Sequence, residues 1–493
     1  MVTVGSSIGR GVSKEDAMPE VTRRSFVRAM GAAGVMGLAS ASMFGCTKVE
    51  ERAATTAASE AAAATVPSEV PQDMTLKLPM DYDSALLPNG HYDPVRLATS
   101  FTDRELDLML ADEAEISADY TTPGGVVVPA LYVRVRNRMN RLGIGLGSLA
   151  DPETGWNMVM ENFAEDEAEA YLEMPMFGWF SARDYAGLSG RTVEECEAIA
   201  DKMADHSLII RTYRADVKYY GLLAPLWGMW EMNMDIFTKE WVETFMAGLG
   251  ADFAPGAVNG VRPLCYIPPI SLDYVQGEVA PYTDWRGTIE ASEVFALSPC
   301  QCRLERDLTE TAACTADQHD RESCISVGEA AAYFIERGIG RPITKEEALA
   351  KIQGNIDKGM VVEMLFSKKA EVFCQCHSDC CKLLSTYRAL DGAGNMMANI
   401  SSYTLNYDKS VCIKCGACVK QCPMAAISTG DDGFLQMDLA CVRCGQCASV
   451  CPVGARSLTA KEQLLELPDD MLDDYQQYSR IRMAAGYIQD FTG

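Results

Sequence analysis

Nineteen cysteines are unevenly distributed along the 493 residues, and their placement constrains the fold more than any other feature. Cys46, Cys196 and Cys265 stand alone, whereas the other sixteen fall between Cys300 and Cys451 in four groups of four. A disulfide scaffold is normally short and spreads its cysteines through the fold. Tight groups with few residues between sulfurs suit a metal better.

The two C-terminal groups are one motif used twice. Cys412-x2-Cys415-x2-Cys418-x3-Cys422-Pro423 is followed by Cys441-x2-Cys444-x2-Cys447-x3-Cys451-Pro452, each cysteine 29 residues after its counterpart. Gly416 and Gly445 repeat at the same offset. Three thiolates at i, i+3 and i+6 on a tight loop converge on three corners of an Fe4S4 cube, and small residues between them let backbone amides approach the sulfurs. The fourth cysteine, locked by the following proline, points away from its own loop. Zinc, the competing metal, favours four ligands in two pairs, and two runs of four that each end in Cys-Pro match that pattern poorly.

From about Thr404 to Thr459 the sequence resembles the two-cluster bacterial ferredoxins. The resemblance implies a (βαβ)2 domain binding two [4Fe-4S] clusters, in which the fourth cysteine of each run serves the other cluster. Carried onto this chain, Cys412, Cys415, Cys418 and Cys451 would hold one cluster. Cys441, Cys444, Cys447 and Cys422 would hold the second. Lys414, Lys420, Arg443 and Arg456 lie close by in sequence; solvated surface charge is the expectation for them, with potential tuning or docking as the alternative.

Two further quartets lie upstream: Cys300, Cys302, Cys314 and Cys324, then Cys374, Cys376, Cys380 and Cys381. A helical pair, Val327 to Arg337 and Lys345 to Lys358, separates them. Three readings stay open for these candidate ligands: one or two more iron–sulfur clusters, a zinc ion with His377 as a candidate ligand, or disulfides and free thiols. Adjacent Cys380 and Cys381 fit one cube badly, which favours ligation mixed across the two groups. His319 is the weaker histidine candidate. The run from Cys300 onward loosely resembles ferredoxin-like proteins of anaerobic bacteria, a likeness that names no substrate.

The N-terminus reads as an export signal over residues 1–45. Thr22-Arg23-Arg24-Ser25-Phe26-Val27 has the paired arginines of a twin-arginine signal, and an apolar stretch ends at Gly45-Cys46. Cys46 is a candidate for lipid attachment, although one acyl chain alone binds a membrane only marginally. Residues 46–75, rich in Ala, Glu, Thr and Ser, cannot bury a core and read as a disordered tether. Order is expected from near Leu76, in a largely helical region to residue 290. Within it, about 155–225 resembles a winged helix: Thr192 caps a helix with Glu195 completing a capping box, and Leu208 to Gly221 forms a two-stranded wing. Cys196 on that helix is expected to be a packing residue. Residues 291–400 are expected to be a cysteine-rich helical region, 404–459 the ferredoxin domain, and 460–493 a helical tail. The fold class is therefore multidomain α+β.

The chain carries 69 acidic and 43 basic side chains, a net charge of −26. Without the first 45 residues, which hold five basic and three acidic groups, it stands at −28. Such a field repels nucleic acid and favours basic docking partners, so the winged-helix-like segment is expected to dock rather than read DNA. No apolar run reaches the roughly 20 residues that span a bilayer. Gly143-Ile144-Gly145-Leu146-Gly147 lacks the βαβ context of a nucleotide loop, and no nucleophile or paired-carboxylate motif stands out. The expectation is an exported iron–sulfur electron carrier on the outer face of the cytoplasmic membrane or, if cleavage falls near Ala39-Ser40-Ala41 instead, released on the periplasmic or extracellular side. Its redox partners would be a flavoprotein, a molybdenum enzyme or a membrane electron donor, and the alternative is an electron-input subunit of a catalytic complex. A sensor would need a basic helix face that the sequence lacks.

Overall fold

The computed structural model describes residues 116–142, 152–246, 265–389 and 401–475, apart from 463–466 and the single positions 123, 215, 278, 280, 316, 439 and 474. The twin-arginine motif, Cys46, the tether, Leu76, the Gly143–Gly147 run and residues 476–493 lie outside them. No helix among the described residues is long and apolar enough to cross a membrane.

After a short antiparallel strand pair, Tyr120–Thr121 with Val127–Val128, three helices follow: α1 (Ala130–Arg141), α2 (Pro152–Asn162) and α3 (Glu165–Glu173). Strand β1 (Phe180–Ser181) leads into α4 (Ala182–Ser189) and α5 (Val193–Asp205). Both helices start where their sequence closes a capping box: Ser181 with Asp184, and Thr192 with Glu195. These reciprocal bonds satisfy N–H groups that a helix start leaves without partners. Gly190 at φ +73° ends α4, a conformation that costs glycine nothing. The hairpin of β2 (Ile209–Arg214) and β3 (Val217–Leu222) follows, and the sheet order is β1-β3-β2, all antiparallel. Cys196, Ala200, Met203 and Ala204 face the core from α5, so Cys196 is a packing residue.

Residues 291–400 depart from the helical expectation. Following α6 (Trp285–Ala291), they contain α7 (Gln301–Leu308), α8 (Gly328–Glu336), α9 (Lys345–Asp357) and α10 (Lys382–Ala389). They also contain most of a six-stranded antiparallel sheet built from β6 (Phe295–Pro299), β7 (Glu322–Val327), β8 (Arg341–Pro342), β9 (Val361–Leu365) and β10 (Val372–Cys376). Its order is β8-β6-β7-β10-β9-β4. The last strand, β4 (Cys265–Tyr266), comes from before residue 290, so that boundary cuts through the sheet. The reason for the miss is physical. Strands such as Val361–Leu365 are buried at every position, and a short continuous apolar run carries no period that separates strand from helix.

The C-terminal domain alternates β11 (Tyr403–Tyr407), α11 (Ala417–Gln421), β12 (Ile427–Thr429), β13 (Leu435–Met437), α12 (Gln446–Ser449) and β14 (Arg456–Ala460). The first strand pairs antiparallel with the last, Tyr403 opposite Ala460, and β12 pairs with β13. The upstream strand β5 (Val275–Gln276) adds to β14 in parallel. One apolar cluster runs from Val135 and Tyr171 through Cys300 and Cys374 to Met424 and Cys444. Polar links reinforce it. The Tyr333 hydroxyl donates to the Ala204 carbonyl at 2.6 Å, and Gln446 Nε2 donates to the Ile356 and Met360 carbonyls at 2.8 and 2.7 Å. Arg211, nearly buried, meets Asp201, Asp205 and Glu336 at 2.6–2.9 Å, which spends the acidic end of α5 on internal pairing.

Candidate metal centres

The sequence duplication is also a duplication of backbone shape. Left-handed residues recur 29 apart: Lys414 and Arg443 (φ +57° and +59°), Gly416 and Gly445 (+72° and +92°), Ala425 and Gly454 (+51° and +65°). A lysine or arginine adopts this region only when its surroundings compel it. Here the loop folds so that amides face sulfur. The Lys414 N–H donates to Cys412 Sγ at 3.4 Å, Ala426 N–H to Cys422 Sγ at 3.3 Å, and Ala455 N–H to Cys451 Sγ at 3.2 Å. Such bonds favour the thiolate, the form that binds metal.

Cys422 comes to the other half's loop. It lines one cavity with Cys441, Cys444 and Cys447, closed by Leu405 and Pro423. Burial pushes the Cys447 thiol up to about 12 and raises Cys441 and Cys444 as well. The remaining four are more open: Cys412 and Cys451 are half-buried, Cys415 is exposed, and only Cys418 is buried. Cys412 is held below its ordinary value by the Tyr407 hydroxyl, with help from the Lys414 amide. Two sulfur sets of equal composition thus sit in unequal surroundings.

Arg456 corrects a sequence expectation. It is 5 % exposed, not a solvated surface charge. Its Nε and one terminal nitrogen have no hydrogen-bond partner among the described residues. Its charge acts on Cys412 and Cys418 from one set and on Cys441 and Cys447 from the other. A buried cation with unused donors between eight thiols suits an anionic group held there, because buried donors are rarely left unmade. Lys414 does reach the surface, its Nζ 3.9 Å from the Phe434 ring centre.

The upstream cysteines do not assemble as their spacing groups them. Six thiols neighbour one another in a ring, each influencing the next: Cys300 and Cys302, Cys302 and Cys381, Cys381 and Cys376, Cys376 and Cys374, Cys374 and Cys324, and Cys324 and Cys300. Strand pairing explains the convergence. Cys374 and Cys376 share one face of β10, Glu363 of β9 lies opposite Cys374, and Cys324 of β7 approaches Cys374 with its sulfur 4.0 Å away. Cys300 caps the start of α7, and Cys381 immediately precedes α10. Hydrogen bonds from Cys302 and Cys324 hold the Cys300 thiol well below its usual value, while its five companions are raised.

The other two cysteines leave their quartets and meet each other. Cys314 and Cys380 are joined as a disulfide, Cα atoms 6.6 Å apart. His319, the weaker candidate by sequence, is the histidine that joins them: its Nδ1 lies 3.4 Å from Cys380 Sγ and 3.5 Å from Asp379. His377 instead pairs with Asp379 at 2.9 Å and packs its ring 4.8 Å from that of His319. Cys314, His319, Asp379 and Cys380 bring one ligand atom each within 4.8 Å of one another, as do Glu363, Cys376 and Cys381. Sequence reasoning missed Glu363, Asp379 and Arg303 because only strand register and loop closure bring them to the sulfurs.

The family model for the 4Fe-4S dicluster domain matches residues 411–455. No curated protein and no solved structure matches the chain. The C-terminal part of this protein is a ferredoxin-like iron–sulfur domain within a larger chain of mixed helix and strand.

Proposed function

We propose that this protein relays single electrons through two [4Fe-4S] clusters, one on Cys412, Cys415, Cys418 and Cys451 and the other on Cys441, Cys444, Cys447 and Cys422. The observation that carries the reading is the meeting of Cys422 with the second loop's three cysteines around one cavity. When bound, such a cluster takes up and releases one electron at a time without moving atoms. The chain's own contribution is to fix the sulfurs and aim amide N–H groups at them. It also keeps water from one set and places the Arg456 charge between the two. The exposed edge at Cys415 is the entry for a partner, and a net charge of −26 favours a partner with a basic docking face.

The partner is a flavoprotein, a molybdenum enzyme or a membrane electron donor. Arg23 and Arg24 route the folded protein outward by the twin-arginine path, and lipid on Cys46 holds it at the outer face of the cytoplasmic membrane. The winged-helix-like segment of about 155–225, in which a helix, a short strand, two capped helices and a hairpin follow in order, serves as a docking element rather than a DNA reader. Its α5 carries Glu194, Glu195, Glu197 and Asp201, which supports that choice.

The deciding experiment is a redox titration of anaerobically purified full-length protein, with EPR and optical absorption followed together. About eight irons and eight sulfides on the C-terminal domain, reducible in two one-electron steps, are expected. A colourless protein with zinc or cystine on these eight residues ends the proposal.

A further inference from the structure

We propose that Cys300, Cys302, Cys324, Cys374, Cys376 and Cys381 form a third metal site, a polynuclear thiolate centre for thiophilic ions, separate from both ferredoxin sites and independent of how those are loaded.

The ring described above brings six neighbouring thiols from β6–α7, β7, β10 and the start of α10 to one buried region, two more than a single tetrahedral ion or one cube accepts. Two tetrahedra sharing an edge have six corners, so two ions joined through two bridging thiolates use every member. At a metal–sulfur distance of about 2.3 Å, sulfurs on one tetrahedral ion lie about 3.8 Å apart. The Cys324 and Cys374 sulfurs stand 4.0 Å apart. Five of the six cysteines are buried, and Leu384 N–H donates to Cys381 Sγ at 3.4 Å.

Two buried polar groups beside the ring point to a charged occupant. The Arg303 side chain, 2 % exposed, donates to the Asp320 and Gln375 carbonyls and to Ser323, and approaches Met360 Sδ at 3.5 Å. It pairs with no carboxylate among the described residues, and Asp379, which feels its charge, is taken by His377. A buried cation without an anion is costly. Six thiolates around two divalent ions leave a net negative centre that balances Arg303. Glu363, 1 % exposed, holds one oxygen 3.7 Å from Cys381 Sγ while the other has no partner among the described residues. That oxygen is a spare donor beside the thiols.

The centre adjoins the ferredoxin domain. Ser378, two residues after Cys376, donates through both its N–H and its hydroxyl to the Pro423 carbonyl at 3.3 and 2.6 Å, next to Cys422. Iron in this place would extend the electron path inward, whereas zinc would make it a structural clasp. The chemistry recognised is the same, a soft divalent ion on thiolate.

The test is iron, zinc and acid-labile sulfide per chain in full-length protein purified without oxygen. At least two metal ions beyond the roughly eight ferredoxin irons are expected. The Cys324→Ser/Cys374→Ser variant should lose them and keep the eight. The Cys314→Ala/His319→Ala variant, which removes the neighbouring group, should retain them. Extra zinc, or extra iron with its own EPR signal, upholds the site and names its metal. Wild-type protein holding eight irons and nothing else overturns it, whether or not the variants fold. So does loss of the extra metal from the Cys314→Ala/His319→Ala protein alone.

Discussion

The Arg456 guanidinium lies over the Tyr407 ring at 4.0 Å, and through this contact the last strand of the ferredoxin domain is held against the end of its first. The pair joins the ends of adjacent strands, Tyr407 opposite Arg456 in register. The same tyrosine hydroxyl reaches Cys412, so ring, cation and sulfur form one unit.

Replacing Arg456 with Gln removes a buried positive charge that acts on both sulfur sets. Reduction adds negative charge, so both potentials should fall by tens of millivolts, where about 59 mV is a tenfold change for one electron. Spectroelectrochemistry reads the shift. Lys414→Gln, at the surface, should move only the more exposed centre and by less; equal shifts in the two variants would remove Arg456 from its central role.

The crossing of ligands separates two single substitutions. Cys422→Ser should damage the buried centre, although Cys422 belongs to the first motif, and Cys451→Ser should damage the open one. EPR and iron content report which centre survives, with about four irons left in each variant. Paired loss within one motif would mean that each run serves its own cluster.

Gly445 sits at φ +92°, and a Cβ there would come within 3.2 Å of Leu458 Cδ1. Gly445→Ala should cost about 1–3 kcal/mol from backbone strain alone. A lower unfolding midpoint for the loaded protein measures it. Its counterpart Gly416 has open space on the Cβ side, so Gly416→Ala should cost less.

Arg23→Lys/Arg24→Lys should leave folded, cluster-bearing protein in the cytoplasm, because the twin-arginine path reads the pair. Fractionation with an antibody to the C-terminal domain shows it. Normal translocation of the variant would remove this route.

The duplicated C-terminal cysteine motif is legible because its spacing repeats without change and matches the dicluster family over residues 411–455. The capped helix at Thr192 is equally legible, since capping is settled within four residues. What the sequence conceals is long-range. Cys324 and Cys374 are 50 residues apart and meet only through strand pairing in a sheet whose short buried strands have no readable period. His319 replaces His377 beside Cys380 for the same reason, since loop closure rather than proximity to a cysteine run decides. Arg456 looks like any surface arginine until both flanking strands are in place.

Strand Arg456–Ala460 has neighbours on both sides, Tyr403–Tyr407 and the borrowed Val275–Gln276. A detached ferredoxin can rotate and offer either of its ends to whatever it meets. Here the third strand bolts the domain to its host, leaving Cys415 facing outward and Cys444 facing in. Among the described residues the molecule therefore has a front door at Cys415 and a back room at Cys444, and a visitor from solution meets the door first.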